Sequence, residues 1–432
     1  MKELLEKILY NISQQILKRH KPDVIGITGS VGKTSAKEAV STVLSAKYSI
    51  RKTQGNYNNE IGVPLTIIGN SSGGKNPFKW LWILFKGFVY GLLPLPYPDM
   101  LVLEMGADKP GDIKYLCELS PVHIGIVTAI GDQPVHLEFF KDVDDLAKEK
   151  MMMYTHQTQD DWAILNLDES RTRDVQKKVK SKTISIGINQ LADLQAVEIE
   201  YSTDPRELKK TSHIAGLRFK INSNGSIVPF FIPRVVGNPP VYATLIAAAV
   251  GQIYGMNLVQ VSEAMKLYNP AKGRMNLIVG LEETLIIDDT YNSSPAAVRE
   301  ALEVLTKVKS SGYRVVCLGN MEELGKQEKR AHTLIGKKIA EMEIDYLYTV
   351  GDKAKWIAEA AVVNGMEQRY VKTFNTSDVA GVDLKGRLID CDLILVKGSQ
   401  SARMEKVVKA IMKNPEEAKK MLVRQYGAWL KS

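Results

Sequence analysis

The segment that most constrains this chain begins at Asp23, where the apolar run DVIGIT gives way to a glycine-bearing turn and then to a helical pattern. A buried strand is predicted at Asp23–Thr28 and a helix at about residues 34–46, which opens a strand-loop-helix unit of a parallel sheet. The turn reads ITGSVGKTS, Ile27 to Ser35. Backbone amides of such a turn, at a helix N-terminus, face an anion; its lysine reaches terminal phosphates and the next hydroxyl holds Mg2+. Lys33 and Thr34 occupy those two positions. The common spacing places a glycine five residues before the GK glycine, where this chain has Ile27. The loop is therefore a variant, with glycines at Gly26 and Gly29.

The alternation continues downstream. Apolar runs of strand length at Met100–Glu104, residues 123–128 and Trp162–Asn166 are each separated by a helix-like segment. Residues 182–233 switch to β-branched alternation (TISIGI, AVEIEY, LRFKI), read as an antiparallel patch on the parallel sheet. NPAKGR, at residues 269–274, is a punctuated joint, after which LIIDDT, RVVCLG, YLYTVG and LILVKG resume the βα pattern. The expected protein is α/β: an N-terminal amphipathic helix (residues 1–22), a central P-loop-type parallel-sheet domain with the antiparallel patch (23–271), and a C-terminal Rossmann-like domain (272–432).

Composition narrows the class. With 432 residues, 44% hydrophobic and 25% charged, the chain is ordinary globular protein rather than a disordered, collagen-like or coiled-coil one. Its three cysteines are scattered without CxxC spacing, which supports neither a disulfide framework nor a thiolate zinc site and points to a reducing cytoplasm. A net charge of +8 is compatible with anionic substrates or an anionic membrane surface. No basic, aromatic-interleaved motif accompanies it, so nucleic acid is not expected as a partner.

One stretch departs from the average. Residues 76–98 hold Trp80 and Trp82 but only two cations, Lys79 and Lys86, and are set apart as a hydrophobic insert. Lys86 and Gly87 split the run and Pro94, Pro96 and Pro98 close it, too interrupted for a membrane span. Two readings stay open: a helix lying in the lipid interface through residues 77–98, peripheral at the inner face of the membrane, or a hydrophobic hairpin buried against the same chain or a dimer partner.

Several residues are placed for chemistry. A phosphate loop needs a carboxylate at another strand end to complete a metal shell, and Glu104 ends MLVLE. His136 lies in a loop, where a neutral imidazole suits metal ligation; Lys150, on the helix carrying LAKEK, reads by default as a solvated lysine. GNYNNEIGVP and DDTYNSSP cluster amides and carboxylates after apolar runs, more than a turn requires. These residues indicate an ATP-using, magnesium-dependent enzyme.

In this order, TGSVGKTS, GNYNNEIGVPLT, LEMGADKPGDI, HLEFF with AKEK, ILNLD, GRM, DDTYNSSP, NMEELG and VKGSQSARME, the chain resembles the ATP-dependent Mur ligases. Within them it resembles the MurF type, which adds D-alanyl-D-alanine to UDP-N-acetylmuramoyl-tripeptide. The resemblance implies that Gly29, Ser30, Val31, Gly32, Lys33, Thr34 and Ser35 bind the ATP phosphates and that Asn166 and Asp168 lie in the nucleotide pocket. It implies that Thr34 and Glu104 share one Mg2+ and His136 holds a second, and that Lys150 can be carbamylated into a metal-binding anion. Asn58, Asn59 and Asn292 would lie near the substrate, Arg274 and Asp289 would contact ATP on domain closure, and Lys397, Ser399 and Arg403 would bind the dipeptide. The implied reaction is phosphoryl transfer to a carboxylate and attack of an amine on the acyl phosphate, with Lys33, His136, Lys150 and Asp289 as its catalytic set.

Departures accompany the resemblance. The family usually carries a UDP-sugar-binding domain of about 80–100 residues before its phosphate loop; here one helix precedes Asp23. A partner supplying sugar-nucleotide recognition, or a lipid-linked acceptor at the membrane, are the alternatives this raises. A non-catalytic, nucleotide-gated binding protein is a third. Pro239, Pro240 and Ala243 replace the His, Asn and second Asn of the family's G-x-H-N-x-x-N pattern; Ser294, Asn320 and Gln400 replace Asn, Asp and Arg elsewhere.

Overall fold

The computed structural model describes residues 2–131, 139–203, 214–308, 310, 312–389 and 392–430. The chain divides into two compact units. The first is Met1–Glu198 with Phe219–Phe230 and Val241–Asn269; the second is Ile199–Arg218 with Phe231–Pro240 and Pro270–Ser432.

Helix α1 (Lys2–His20) leads into β1 (Asp23–Thr28), α2 (Lys33–Leu44), β2 (Ile50–Lys52), α3 (Gly62–Ile68) and α4 (Pro77–Leu92). There follow β3 (Met100–Glu104), α5 (Asp112–Leu119), β4 (Ile124–Val127), α6 (Val143–Thr155), β5 (Trp162–Asn166), α7 (Ser170–Val175) and β6 (Lys182–Gly187). β7 (Leu194–Thr203), β8 (Ile214–Ser223) and β9 (Ser226–Pro233) precede α8 (Pro239–Ile253) and α9 (Leu258–Met265). The sheet runs β2-β3-β1-β4-β5-β6-β7-β8-β9. Its pairs from β2 to β6 are parallel. β3 and β4 are buried at every position, as strands covered on both faces must be.

Two expectations need correction. β6 pairs in parallel with β5, Ile164 opposite Ile184, so the antiparallel patch does not begin at Lys182. β-branched composition suits either strand direction, and here the crossover through α7 decides it. Among the described residues, β8 turns back on β9 as an antiparallel hairpin, closed by Asn224 and Gly225, both at positive φ as a two-residue turn requires. Lys86 and Gly87 do not split the insert: α4 is one 16-residue helix, capped by Asn76 and started by Pro77. A Cβ on Gly87 would come 2.6 Å from Ile12 Cγ2, so the missing side chain is what lets α1 lie against α4. Leu9, Ile12 and Ile16 of α1 join Ile83 of α4 in one core.

The second unit carries β10 (Asn276–Val279), β11 (Leu285–Asp289), α10 (Pro295–Lys307), β12 (Arg314–Gly319), α11 (Glu328–Ala340), β13 (Tyr346–Val350) and α12 (Lys355–Val363). β14 (Val371–Phe374), α13 (Ser377–Lys385), β15 (Leu393–Lys397), α14 (Glu405–Ile411) and α15 (Ala418–Met421) complete it. Its sheet, β10-β11-β15-β12-β13-β14, is parallel except for the β10-β11 pair, with an apolar core on each face. Ligands of such sheets bind beyond the carboxyl ends of the strands.

Candidate active site

In the first unit, β1 ends at Thr28 and the chain turns through Gly29 and Gly32, both at positive φ. The amides of Ser30 and Val31 donate to the Ala129 carbonyl at 2.7 and 3.1 Å, and Thr128 Oγ1 donates to the Val31 carbonyl at 2.6 Å. These bonds staple the loop to the end of β4. Gly29 passes so close that a Cβ there would lie 2.0 Å from Thr128 Oγ1. The Thr28 and Ser30 hydroxyls are buried and have no partner among the described residues. Buried orphan hydroxyls, positive-φ glycines and a helix N-terminus together fit a phosphate ligand.

Lys33 opens α2 and donates from Nζ to the Gly29 carbonyl at 2.6 Å, folded over its own loop. Thr34 Oγ1 donates to Glu104 Oε2 at 3.1 Å, which brings the hydroxyl and the strand-end carboxylate together. Both are hard oxygen donors of the kind Mg2+ takes. Lys37, one turn after Lys33, is also buried and sets its Nζ 3.9 Å from Glu104 Oε2. The sequence reading passed it over, although the i, i+4 spacing from Lys33 places both on one face of α2.

Lys150 is 3% exposed, not solvated. Burial first, then the positive charge of Lys33, push its pKa down to about 7, against a weaker pull from Asp108 and Glu149. A lysine poised there is partly the neutral amine near neutral pH, the form that reacts with carbon dioxide. Glu149 is used structurally, accepting the Gly111 and Ile113 amides at the start of α5. His136 lies outside the described residues.

The amide residues divide. Asn58 accepts the Gly106 amide on its carbonyl at 2.7 Å, two residues past Glu104. Asn59 Oδ1 accepts from Gly62 at 2.9 Å and so starts α3. Asn166 Nδ2 donates to the Thr128 carbonyl, behind the phosphate loop. Asp168 accepts the Ile188, Asn189 and Gln190 amides and the Tyr242 hydroxyl, bonds that make it a clamp between the β6 end and α8. Pro239 and Pro240, which displace family polar residues, begin α8, where proline costs no helix hydrogen bond.

In the second unit, Asp289 ends β11 and Lys397 ends β15. Their side chains pair at 2.6 Å, both nearly buried, and Lys397 also donates to the Asn292 carbonyl at 2.9 Å. Lys397 thus holds the β11 end and the Asn292 backbone rather than projecting outward. Arg274 lies over the Tyr291 ring at 4.1 Å, and Gly273 allows that approach: a Cβ there would come 2.8 Å from the Tyr291 amide. A buried Arg424-Glu405 pair at 2.8 Å, unseen in the sequence, carries the Thr290 and Tyr291 carbonyls on the same guanidinium. Arg403 Nε joins it at Glu405 Oε1, 2.6 Å.

Beyond the ends of β12 and β13 opens a cavity of about 710 Å3. Asn320, Glu322, Asp378, Ser401, Arg403 and Lys406 line it, so cations and carboxylates face one space. Ser399 lies beneath: its amide donates to the Asn320 carbonyl and its hydroxyl accepts the Glu322 amide.

With this geometry in view, the comparisons with known proteins are specific. The Mur ligase middle domain matches residues 27–74 and 95–250, and the Mur ligase glutamate ligase domain matches residues 273–400. The UDP-N-acetylmuramoyl-tripeptide--D-alanyl-D-alanine ligase of Bacillus subtilis is 26% identical over 407 residues, covering 94% of this chain and 79% of the relative. The Escherichia coli ligase of the same name is 28% identical over 393 residues, covering 90% and 77%. Among solved structures, the Thermotoga maritima MurF ligase in complex with ADP superposes with a TM-score of 0.76 at 24% identity, over 95% of this chain and 84% of that one. Acinetobacter baumannii MurF gives 0.73 at 25%, over 94% and 79%. The phosphate loop with its Thr34-Glu104 pair, the two-unit α/β architecture and both domain matches lead to one conclusion: this chain belongs to the Mur ligase family.

Proposed function

We propose that this protein is an ATP-dependent ligase of the MurF type, joining D-alanyl-D-alanine to a UDP-muramoyl-tripeptide through an amide bond in peptidoglycan precursor synthesis. The observation that carries the reading is the convergence of Lys33, Thr34 and Glu104 at one strand end, beside the buried Lys150. Thr34 and Glu104 would hold Mg2+, which supplies charge neutralisation for phosphoryl transfer. Lys33 would leave the Gly29 carbonyl for the terminal phosphates, and the amides at the start of α2, residues 32–34, would orient them. Lys150, carbamylated, would add a carboxylate to the metal shell; Lys37 holds the Glu104 carboxylate in place.

The cavity at the ends of β12 and β13 is proposed to take the dipeptide. Arg403 and Lys406 suit its carboxylate, and Glu322 and Asp378 suit its ammonium. Asp289 and Lys397 position the β11 and β15 ends. Purified protein given ATP, UDP-muramoyl-tripeptide and D-alanyl-D-alanine should release phosphate only when all three are present. Release with ATP alone, or none with the full set, rejects the reading.

A further inference from the structure

Helix α4 is used by nothing in the proposed active site. It occupies most of residues 75–94, the stretch that the Mur ligase middle-domain match leaves out between 74 and 95. One side is built into the protein through Ile83 and Gly87. The other exposes Phe78 (81%), Leu81 (66%), Trp82 (59%), Phe85, Phe88 and Leu92, at spacings of three and four that form one continuous stripe. Folding leaves these side chains in water although burying them would be favourable. A stripe of this kind marks an interaction surface.

Its border says what covers it. Lys79 and Lys86, seven residues apart, run along one edge, held by hydrogen bonds to the Ser72 and Gly69 carbonyls at 2.7 and 2.9 Å. Lys75 is exposed just before the helix, and no acidic residue occurs between Glu60 and Asp99. α1, packed along α4, ends in exposed Lys18 and Arg19, with Lys21 beyond. An apolar stripe whose own helix carries lysines and no carboxylate, beside the cationic end of α1, complements a surface that is apolar inside and anionic outside. A second copy fits less well: pairing two such faces would juxtapose their lysine edges with no carboxylate in residues 61–98 to offset them. At 16 residues the helix is about 24 Å long. That is shorter than the roughly 30 Å of bilayer hydrocarbon. No helix among the described residues is long and apolar enough to cross a membrane.

We propose that α4 is an interfacial anchor that lays its Phe78-to-Leu92 face into the headgroup region of an anionic phospholipid bilayer. Trp82 sits at the depth where indole rings favour the boundary between headgroup and hydrocarbon. The anchor goes beyond the ligase reading and stands whether or not the acceptor proves to be the UDP-linked one.

The test is flotation of the full chain with vesicles of phosphatidylcholine alone and with vesicles in which phosphatidylglycerol replaces about a third of it. The wild type should float with the anionic vesicles at least about tenfold more than with the neutral ones, and less as salt is raised. Combined Phe78→Ser, Trp82→Ser and Phe85→Ser substitution should abolish flotation while circular dichroism and phosphate release on soluble substrates stay unchanged. In a second measurement, brominated lipid should quench a fraction of wild-type tryptophan emission that is missing from Trp82→Phe, a reading that does not depend on the triple variant folding. Absence of flotation, equal flotation with both vesicles, or quenching indifferent to Trp82 overturns the proposal. So does a wild-type dimer in sedimentation equilibrium that the triple variant dissociates, which would assign the face to a second copy.

Discussion

Burying an amine beside another lysine costs free energy, and Lys150 does both. Because its folded pKa falls to about 7 against 10.5 for the free side chain, the unfolded chain binds a proton across that interval which the folded chain does not. Stability therefore rises with pH from 7 toward 10.5 as the cost of burying the charged amine disappears, and that cost returns in full as pH falls to 7. In carbonate-free buffer, the wild type should gain about 2 kcal/mol relative to Lys150→Met between pH 7 and pH 9, read as the difference in urea unfolding at the two values. The variant should also be the more stable of the two at pH 7 and lack ligase activity, which separates a functional cost from a structural one. Gly29 makes the complementary case. With φ at 141° and Thr128 Oγ1 at 2.0 Å from an added Cβ, Gly29→Ala must displace the phosphate loop. Nucleotide affinity, measured by titration calorimetry, should drop at least about tenfold.

At the scale of elements, Asp168 shows how a motif residue can serve the scaffold. Its carboxylate collects the amides of residues 188–190 and the Tyr242 hydroxyl. Asp168→Ala should lower unfolding stability by ~2–4 kcal/mol while changing the KM for ATP less than about threefold. A KM rise that outruns the stability loss would return Asp168 to the nucleotide pocket. The strand-loop-helix at Asp23 and the strand ending on Glu104 were legible because local periodicity and glycine placement specify them. The direction of β6 was not, since pairing partners lie outside any local window. Nor was the continuity of α4: Gly87 reads as a break until Ile12, seventy-five residues away, is seen to need its space. Lys150 looked solvated for the same reason, and the Asp289-Lys397 and Glu405-Arg424 pairs join residues that no spacing rule connects.

For the whole molecule, two units with separate cores raise the question of whether they unfold together. Nature has placed a buried thiol in each: Cys117 on α5 in the first unit and Cys317 on β12 in the second. Burial pushes the Cys117 pKa up to about 12 and that of Cys317 up as well, so neither reacts until its own surroundings open. Arg424→Leu removes the guanidinium that ties Glu405 to the Thr290 and Tyr291 carbonyls, inside the second unit alone. Alkylation at increasing urea, read peptide by peptide in the mass spectrometer, should show the Cys317 transition shifted by ~2–4 kcal/mol and the Cys117 transition where it is in the wild type. Equal shifts at the two thiols would mean that the units share one cooperative transition. Unequal shifts would mean that each unit's core opens on its own.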